Sequence, residues 1–479
     1  MRLTSKLDAV VVGSGPNGLS AAIQIARAGF SVLVLEAKET PGGGCRSAEL
    51  TLPGFVHDIC ATAFPLAIAG SAFRGLPLQE YGVEFVQPEV AVAHPFDDGT
   101  AVAVSRGIAA TTSKLGRDGA AWRKLYAPLD RYFEQLIDGA LGPLRIPRHP
   151  LAMARFGLGA IRPAKGLAEA RFATEQARAV FAGLAAHSML PLETRGSAAA
   201  GLVLGMTAQR VGWPFVRGGS QGLADGLAAY LEAIGGQVET GRELRTLADI
   251  PPARVVLFDL TPRQVSEIAG EALPARYRAA LGRYRYGMGV FKMDFALGAP
   301  VPWVADACQA AGTVHLGGTL DEIAFSGREA MAGRTAERPF VLLAQPSLFD
   351  DSRAPAGKHT AWAYCHVPNG STKDMTGAVT AQIERFAPGF RDVVLTQTAR
   401  TATEMERYNA NYVGGDINGG IQDLRQLFAR PVARRDPYST PNPRLFICSS
   451  STPPGGGVHG LCGYYAARSA IGRLRQAST

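Results

Sequence analysis

The sequence predicts an α/β protein in which a discontinuous parallel-sheet domain encloses an interleaved α+β domain. Three observations predict it. The N-terminus runs from an all-apolar stretch through an Ala-rich helical stretch to a second apolar stretch, a βαβ unit in about thirty residues. The same alternation returns in the middle, around residues 221–258, and again from Leu445 to the C-terminus. Between these segments lie apolar residues at helical spacing and then a strand-rich region at 286–366.

Each element has a local cause. Ala9 to Val12 is a short all-apolar run, as a strand buried on both faces of a parallel sheet requires. Ser20 to Ala28 is a helix stopped by Gly29, and Ser31 to Leu35 is the second strand. Trp122, Leu125, Tyr126, Leu129, Tyr132, Phe133 and Leu136 recur at helical spacing, with Asp118 as N-cap. A second helix covers Thr174 to Ser188; the stretch 151–172 between them is apolar but interrupted by Arg155, Arg162, Lys165 and Arg171. Further strands are expected near Val238 and at Val255 to Phe258.

Composition narrows the function classes. At 479 residues the chain is long enough for two to four domains of about 150 residues and for large cores without staples. Hydrophobic residues are 47% and charged residues 19%, which excludes long disorder, and Gly 56 with Pro 31 stays below the roughly 25–30% of low-complexity chains. The net charge of +8 is scattered, Arg434 and Arg435 being the densest pair, so no nucleic-acid stripe is expected. Six cysteines without C-x-x-C or zinc-type spacing predict reduced thiols, no metal, and a cytoplasmic protein. The charge-free stretch Leu445 to Ala467 is long enough to span a bilayer, but its prolines and glycines fit backbone packed against a large ligand better.

The sharpest motif is Gly13-Ser14-Gly15-Pro16-Asn17-Gly18, a G-x-G-x-x-G between a strand and a helix. Gly13 permits the turn, Gly15 lets a pyrophosphate approach the backbone, and Gly18 lets the helix pack closely. Glu36 follows the second strand, eighteen residues beyond Gly18, where a carboxylate accepts an adenosine ribose diol and repels a 2′-phosphate. A Rossmann-like dinucleotide-binding domain follows. The second glycine turn, Pro41 to Ser47, suits FAD, whose ribityl and flavin portions need further backbone contact; Arg46 there is placed to neutralise pyrophosphate charge. At the other end, Pro453 to Gly460 opens a small-residue helix whose first amides are expected to face a flavin edge.

These segments carry a resemblance. GSGPNGLSAA, LVLEA and PGGG at the N-terminus, PGF at 53–55, VRGGSQGLADGL at 216–227 and LFICSSSTPPGGGVHGLCGYYAA at 445–467 resemble the phytoene-dehydrogenase-related FAD-dependent oxidoreductases, within the carotenoid desaturase and amine oxidase superfamily. The resemblance covers essentially the whole chain and is strongest at its ends. It implies FAD contacts from Gly13, Ser14, Gly15, Asn17, Gly18, Glu36, Ala37, Gly43, Gly44, Arg46 and Ser47, an adenine contact near Leu244, and flavin contacts from Gly457, Val458 and His459. Carotenoid desaturases proper usually carry proline where this chain has His459, which argues against a carotene itself as substrate.

For catalysis the candidates are His459, beside the expected flavin, and Lys292, since the superfamily's amine oxidases carry a lysine on a comparable strand. His315 and His366 are further titratable candidates, and Trp362, Tyr364 and Tyr412 are candidate pocket aromatics. The division expected is 1–105, 215–265 and 431–479 for the FAD domain, with 106–214 and 266–430 as the helical and β-rich parts of the substrate domain. The implied activity is hydride transfer between FAD and a C–C or C=C unit of a lipophilic substrate, with oxygen or a quinone as acceptor. Amine oxidation at a C–N bond, redox-neutral C=C isomerisation and a non-catalytic flavin scaffold stay open. The stretch 151–172 is expected either as a loop over the substrate entrance or as a peripheral membrane contact.

Overall fold

The computed structural model describes residues 7–143, 145–147 and 149–476. Along the chain, β1 (Leu7–Val12), α1 (Pro16–Arg27) and β2 (Val32–Leu35) form the βαβ unit. The strands β3 (Val90–Pro95) and β4 (Ala101–Ser105) follow. The helices that matter to the site come next: α2 (Gly119–Asp130), α3 (Phe133–Ala140), α4 (Pro150–Ala160), α5 (Ala164–Arg171), α6 (Glu175–Ala186) and α7 (Ala198–Val211). The middle segment supplies α8 (Gln221–Ala233), β5 (Gln237–Glu239), β6 (Ala253–Phe258), α9 (Pro262–Ala269) and α10 (Ala275–Leu281). Five strands follow: β7 (Gly289–Leu297), β8 (Ala311–Leu316), β9 (Val341–Ala344), β10 (His359–Val367) and β11 (Val394–Arg400). The chain ends on β12 (Leu445–Ile447) and α11 (Leu461–Gln476).

Two sheets organise these elements. The first is wholly parallel, in the order β12–β6–β1–β2–β5, so three distant segments build it. Its central strand explains its own apolar run. Ala9 and Val11 pack with α1, α8 and α11, while Val10 and Val12 pack with α9 and α10 on the opposite face. The second sheet has the order β11–β7–β10–β9–β8–β3–β4 and is antiparallel except for the β8–β3 pair. Residues of α6 and α7 share a core with one of its faces.

Several expectations shift. β3 and β4 lie within 1–105 but join the second sheet, because β3 pairs with β8. The boundary at 265 falls inside α9, which with α10 covers the parallel sheet. The helix read across Trp122 to Leu136 divides into α2 and α3 shortly after Pro128, which lacks the N–H an unbroken helix would use. Asp118 does not cap α2 with its side chain; its carboxylate accepts from the backbone N–H of Ala173 (2.9 Å) and Thr174 (2.7 Å). The stretch 151–172 is helical in α4 and α5, with Gly157 and Gly159 inside α4.

Buried polar ties join the segments. Arg353, fully buried, lies 3.1 Å from Asp58 and 2.8 Å from Asp350. Asp58 in turn accepts from Ser47 Oγ and from the N–H of Ser220, each at 2.7 Å. The two chain ends meet at Asn17, whose Nδ2 donates to Ser450 Oγ (3.3 Å) and whose carbonyl lies where a side chain on Gly463 would stand, 1.7 Å from a Cβ placed there.

That approach generates a prediction. Gly463→Ala forces α1 and α11 apart and lowers the melting temperature by the equivalent of roughly 3 kcal/mol. Gly472→Ala on the same helix meets no atom within 4 Å and raises stability by up to about 1 kcal/mol. Thermal unfolding of the two variants should therefore move in opposite directions.

Candidate functional site

A cavity of about 1100 Å³ runs through the molecule between the two sheets' segments. It exceeds the roughly 300–1000 Å³ of an ordinary small-ligand site, so it has room for an extended dinucleotide and a second molecule. One part is bounded by the ends of β1, β2 and β6 and by the C-terminal elbow 449–458; the other is bounded by α4, α7 and the second sheet.

The structure brings most of the expected residues to the first part. Gly13, Gly15 and Asn17 line it from the fingerprint turn, Glu36 and Ala37 from the end of β2, and Leu244 from the loop after β5. Gly43 and Gly44 line it from the second glycine turn, and Gly457 and Val458 from the elbow. The two glycine turns are pressed together: Gly42 N–H donates to Ser14 O (3.0 Å), and a Cβ on Gly43, which has φ +55°, would stand 2.9 Å from Gly15 Cα. Only bare backbone allows this approach. Glu36 is fixed by N–H bonds from Ser14 and Lys38, both 2.9 Å, and by the Ser14 hydroxyl at 2.6 Å.

Other expectations are corrected by geometry. Ser14 and Gly18 lie behind the wall, Ser14 spent on Glu36 and Gly18 packed against Gly13 O. Arg46 is on the wall, but its guanidinium is committed to Glu36 (2.9 Å) and to the Thr40 and Gly43 carbonyls rather than held free for a pyrophosphate. Ser47 is away from the cavity, bonded to Asp58 and accepting from Gln221 N–H at the start of α8.

His459 does not line the cavity. It is fully buried and outside the wall; Nδ1 accepts from Leu461 N–H (3.0 Å), so Nε2 carries the hydrogen and donates to Gly455 O (3.2 Å). Burial pushes its pKa down to about 4. The ring locks the elbow and takes the first amide of α11, so that amide is not aimed at a flavin.

Lys292 also stays off the wall. The β7–β10 register sets it opposite Tyr364, with Asp294 opposite Trp362 on the same face. Lys292 bonds Asp294, and its ammonium lies 5.7 Å from the Trp362 ring centroid. His57 stands 3.7 Å from the same carboxylate, its pKa pushed down to about 4 mainly by burial. The aromatic rings of Trp362, Tyr364 and Tyr412, not the lysine, form the cavity surface. Among the other histidines, His366 is buried off the wall and His315 pairs with His187, which sequence reading did not single out.

Two buried charged residues on the wall were also missed. Asp259, at the end of β6, places Oδ2 2.9 Å from Gly18 N at the start of α1. Burial pushes its pKa up to about 7, and nearby Glu36 adds to the rise, against the pull of the Gly18 and Gly15 amides. Arg430 is 1% exposed and bonds the carbonyls of Ser450, Ser451 and Gly419 and the Tyr284 hydroxyl, while its remaining terminal nitrogen is unpartnered. Nearby Asn418 Nδ2 and Asn17 Oδ1 are likewise unpartnered. A buried cation with a free donor at the elbow, a glycine cradle and a ribose-type acid fit a dinucleotide.

The shifted carboxyl gives a pH prediction. With a folded pKa of about 7 against an ordinary 3.8, Asp259 retains a proton that the unfolded chain has lost. Stability from this residue therefore falls as pH rises across that window and the cost is complete above it. Asp259→Asn should melt higher than the parent at pH 8, with the gap closing toward pH 4; parallel melting curves would remove Asp259 as the titrating group.

Residues 11–74 match the family model of the NAD(P)-binding Rossmann-like domain. The chain is 26% identical over 560 residues to pyridine nucleotide-disulfide oxidoreductase domain-containing protein 2 of Mus musculus, with 97% of this chain and 93% of that protein covered. It is 25% identical over 417 residues to the phytoene dehydrogenase of Streptomyces griseus, covering 82% of this chain and 78% of that protein. Among solved structures, an oxidoreductase from Methanosarcina mazei matches with a TM-score of 0.65 at 17% identity, over 97% of this chain and 100% of that one. Cyclohexylamine oxidase from Brevibacterium oxydans matches with a TM-score of 0.60 at 14% identity, over 99% of this chain and 100% of that one. The structural likenesses share the fold.

Proposed function

We infer that this oxidoreductase, a relative of the phytoene-dehydrogenase-related flavoproteins, binds FAD in the first part of the cavity and oxidises or reduces a carbon–carbon unit of a lipophilic substrate in the second. The observation that carries the reading is the division of charge along the cavity. Glu36, Arg46, Asp259 and Arg430 sit in the dinucleotide part. The second part is walled by side chains such as Met153, Phe156, Val203, Leu204 and Leu342, with no carboxylate, lysine or arginine among its described residues. An ammonium substrate would find no counter-ion there, which favours carbon–carbon over carbon–nitrogen chemistry.

When bound, the flavin supplies hydride acceptance and donation. The chain supplies the rest. Glu36 is placed for ribose hydroxyls, and the free Arg430 donor for negative charge beside the elbow. Trp362, Tyr364 and Tyr412 exclude water where the two parts join, and the apolar wall desolvates the substrate. With no second nucleotide fingerprint in the sequence, oxygen or a quinone is the re-oxidant proposed.

α4 covers the apolar part with Met153, Phe156 and Ala160, and exposes Leu151 (86%) and Leu158 (70%) on its outer side, next to Arg155 and Arg162. This supports a peripheral lipid contact through 151–172, although no helix among the described residues is long and apolar enough to cross a membrane.

The purified protein should show flavin absorbance that bleaches anaerobically with apolar olefins or terpenoid hydrocarbons but not with primary amines. Bleaching by amines alone would make it an amine oxidase, and a colourless protein after incubation with FAD would end the flavin reading. Sedimentation with anionic vesicles should pellet the parent and release a Leu151→Ser, Leu158→Ser variant; equal pelleting of both would dismiss the lipid contact.

A further inference from the structure

A histidine lines the apolar part of the cavity. His187 follows α6 and lines the wall with Ser188, Trp213, Thr313 and Tyr364. Its Nε2 lies 3.0 Å from Nε2 of His315 on β8, so one of these nitrogens carries a hydrogen and the other accepts it. His315 decides which. It is fully buried and its Nδ1 has no partner. The ring is pressed against bare backbone: a Cβ on Gly183 of α6 would stand 2.4 Å from that Nδ1. A hydrogen there would be an orphaned buried donor, the costlier arrangement. His315 therefore carries its hydrogen on Nε2 and donates to His187, which leaves His187 with its own hydrogen on Nδ1. Among the described residues the His187 hydrogen bond runs through Nε2 alone, and His187 lines the cavity.

We propose that His187 Nδ1–H, oriented by His315, is a recognition donor for an uncharged oxygen, a carbonyl or hydroxyl, carried by the otherwise apolar substrate. This rests on the reading of the cavity as a lipophilic substrate site and adds a polar contact to it. Trp213 cannot serve instead, because its Nε1–H is spent on Thr313 Oγ1 (2.9 Å). A charged group does not suit this contact. Burial holds both rings neutral, with His187 pushed down to about 3 and His315 far below its usual value, so neither offers a positive charge to a carboxylate. Neutral donor matches neutral acceptor.

The test compares binding of pentadecanone and pentadecane to the holoenzyme by calorimetry, read as the ratio of their dissociation constants in parent and variants. Gln in place of His187 reaches toward His315 with its amide but withdraws the cavity donor; Asn keeps an amide nitrogen near the position of Nδ1. One neutral hydrogen bond corresponds to a change of about fivefold. His187→Gln should therefore lower the ketone preference about fivefold, while His187→Asn retains most of it. Histidine side-chain nitrogen NMR of the parent should show the hydrogen of His187 on Nδ1. An unchanged ketone preference in His187→Gln, or a hydrogen on His187 Nε2, overturns the proposal. A protein that prefers the ketone but takes up no flavin contradicts the proposed function while leaving this recognition intact.

Discussion

Backbone contact between the two ends of the chain is the constraint on which the cavity depends. Asn17 sits one residue before the last glycine of the fingerprint, donates to Ser450 in the elbow, and carries its carbonyl against the bare Cα of Gly463. Because α1 and α11 touch at this point without intervening side chains, the elbow lies over the fingerprint turn and both face one space. The same logic repeats at Gly43 and Gly15, where two turns from successive segments meet backbone to backbone. Absence of side chains here is a structural requirement, and it leaves amides and carbonyls as the surface offered to a ligand.

Charge is distributed with the same economy. The dinucleotide part holds a carboxylate at Glu36 paired with Arg46, a carboxyl at Asp259 that burial and Glu36 bias toward its neutral form, and a buried guanidinium at Arg430. An added phosphate therefore meets fewer opposing charges than a count of acids suggests. The other part is apolar up to a neutral histidine pair, so its electrostatics are those of hydrogen bonds in a low-dielectric site. Lys292, Asp294 and His57 form a separate buried cluster beneath the aromatic wall, with the Lys292 ammonium 5.7 Å from the Trp362 ring centroid.

How much was legible in the sequence follows from the range of the interactions involved. The βαβ unit, the fingerprint turn and Glu36 are set by local spacing, and the structure has them where the spacing puts them. The convergence of the glycine-rich tail on the same space was readable because a long charge-free, glycine-rich stretch has few other uses. Side-chain roles were not readable. His459 sits beside the right loop but has both ring nitrogens taken by backbone four residues before and two residues after it. Asp118, a plausible cap by sequence, is captured by the turn before α6, fifty-five residues away. Asp259, Arg430 and His187 owe their significance to partners more than ten residues distant, which no local pattern encodes. α4 forms despite two internal glycines because it buries one side on the cavity, a tertiary gain that outweighs propensity.

The central claim is that both ends of the chain grip one dinucleotide together. Hydrogen exchange of the protein with and without FAD tests it most directly. Joint protection at residues 13–18, 36–46 and 449–458, appearing at the same FAD concentration, is the predicted result. Protection confined to the N-terminal turns, with the elbow exchanging as before, would contradict it.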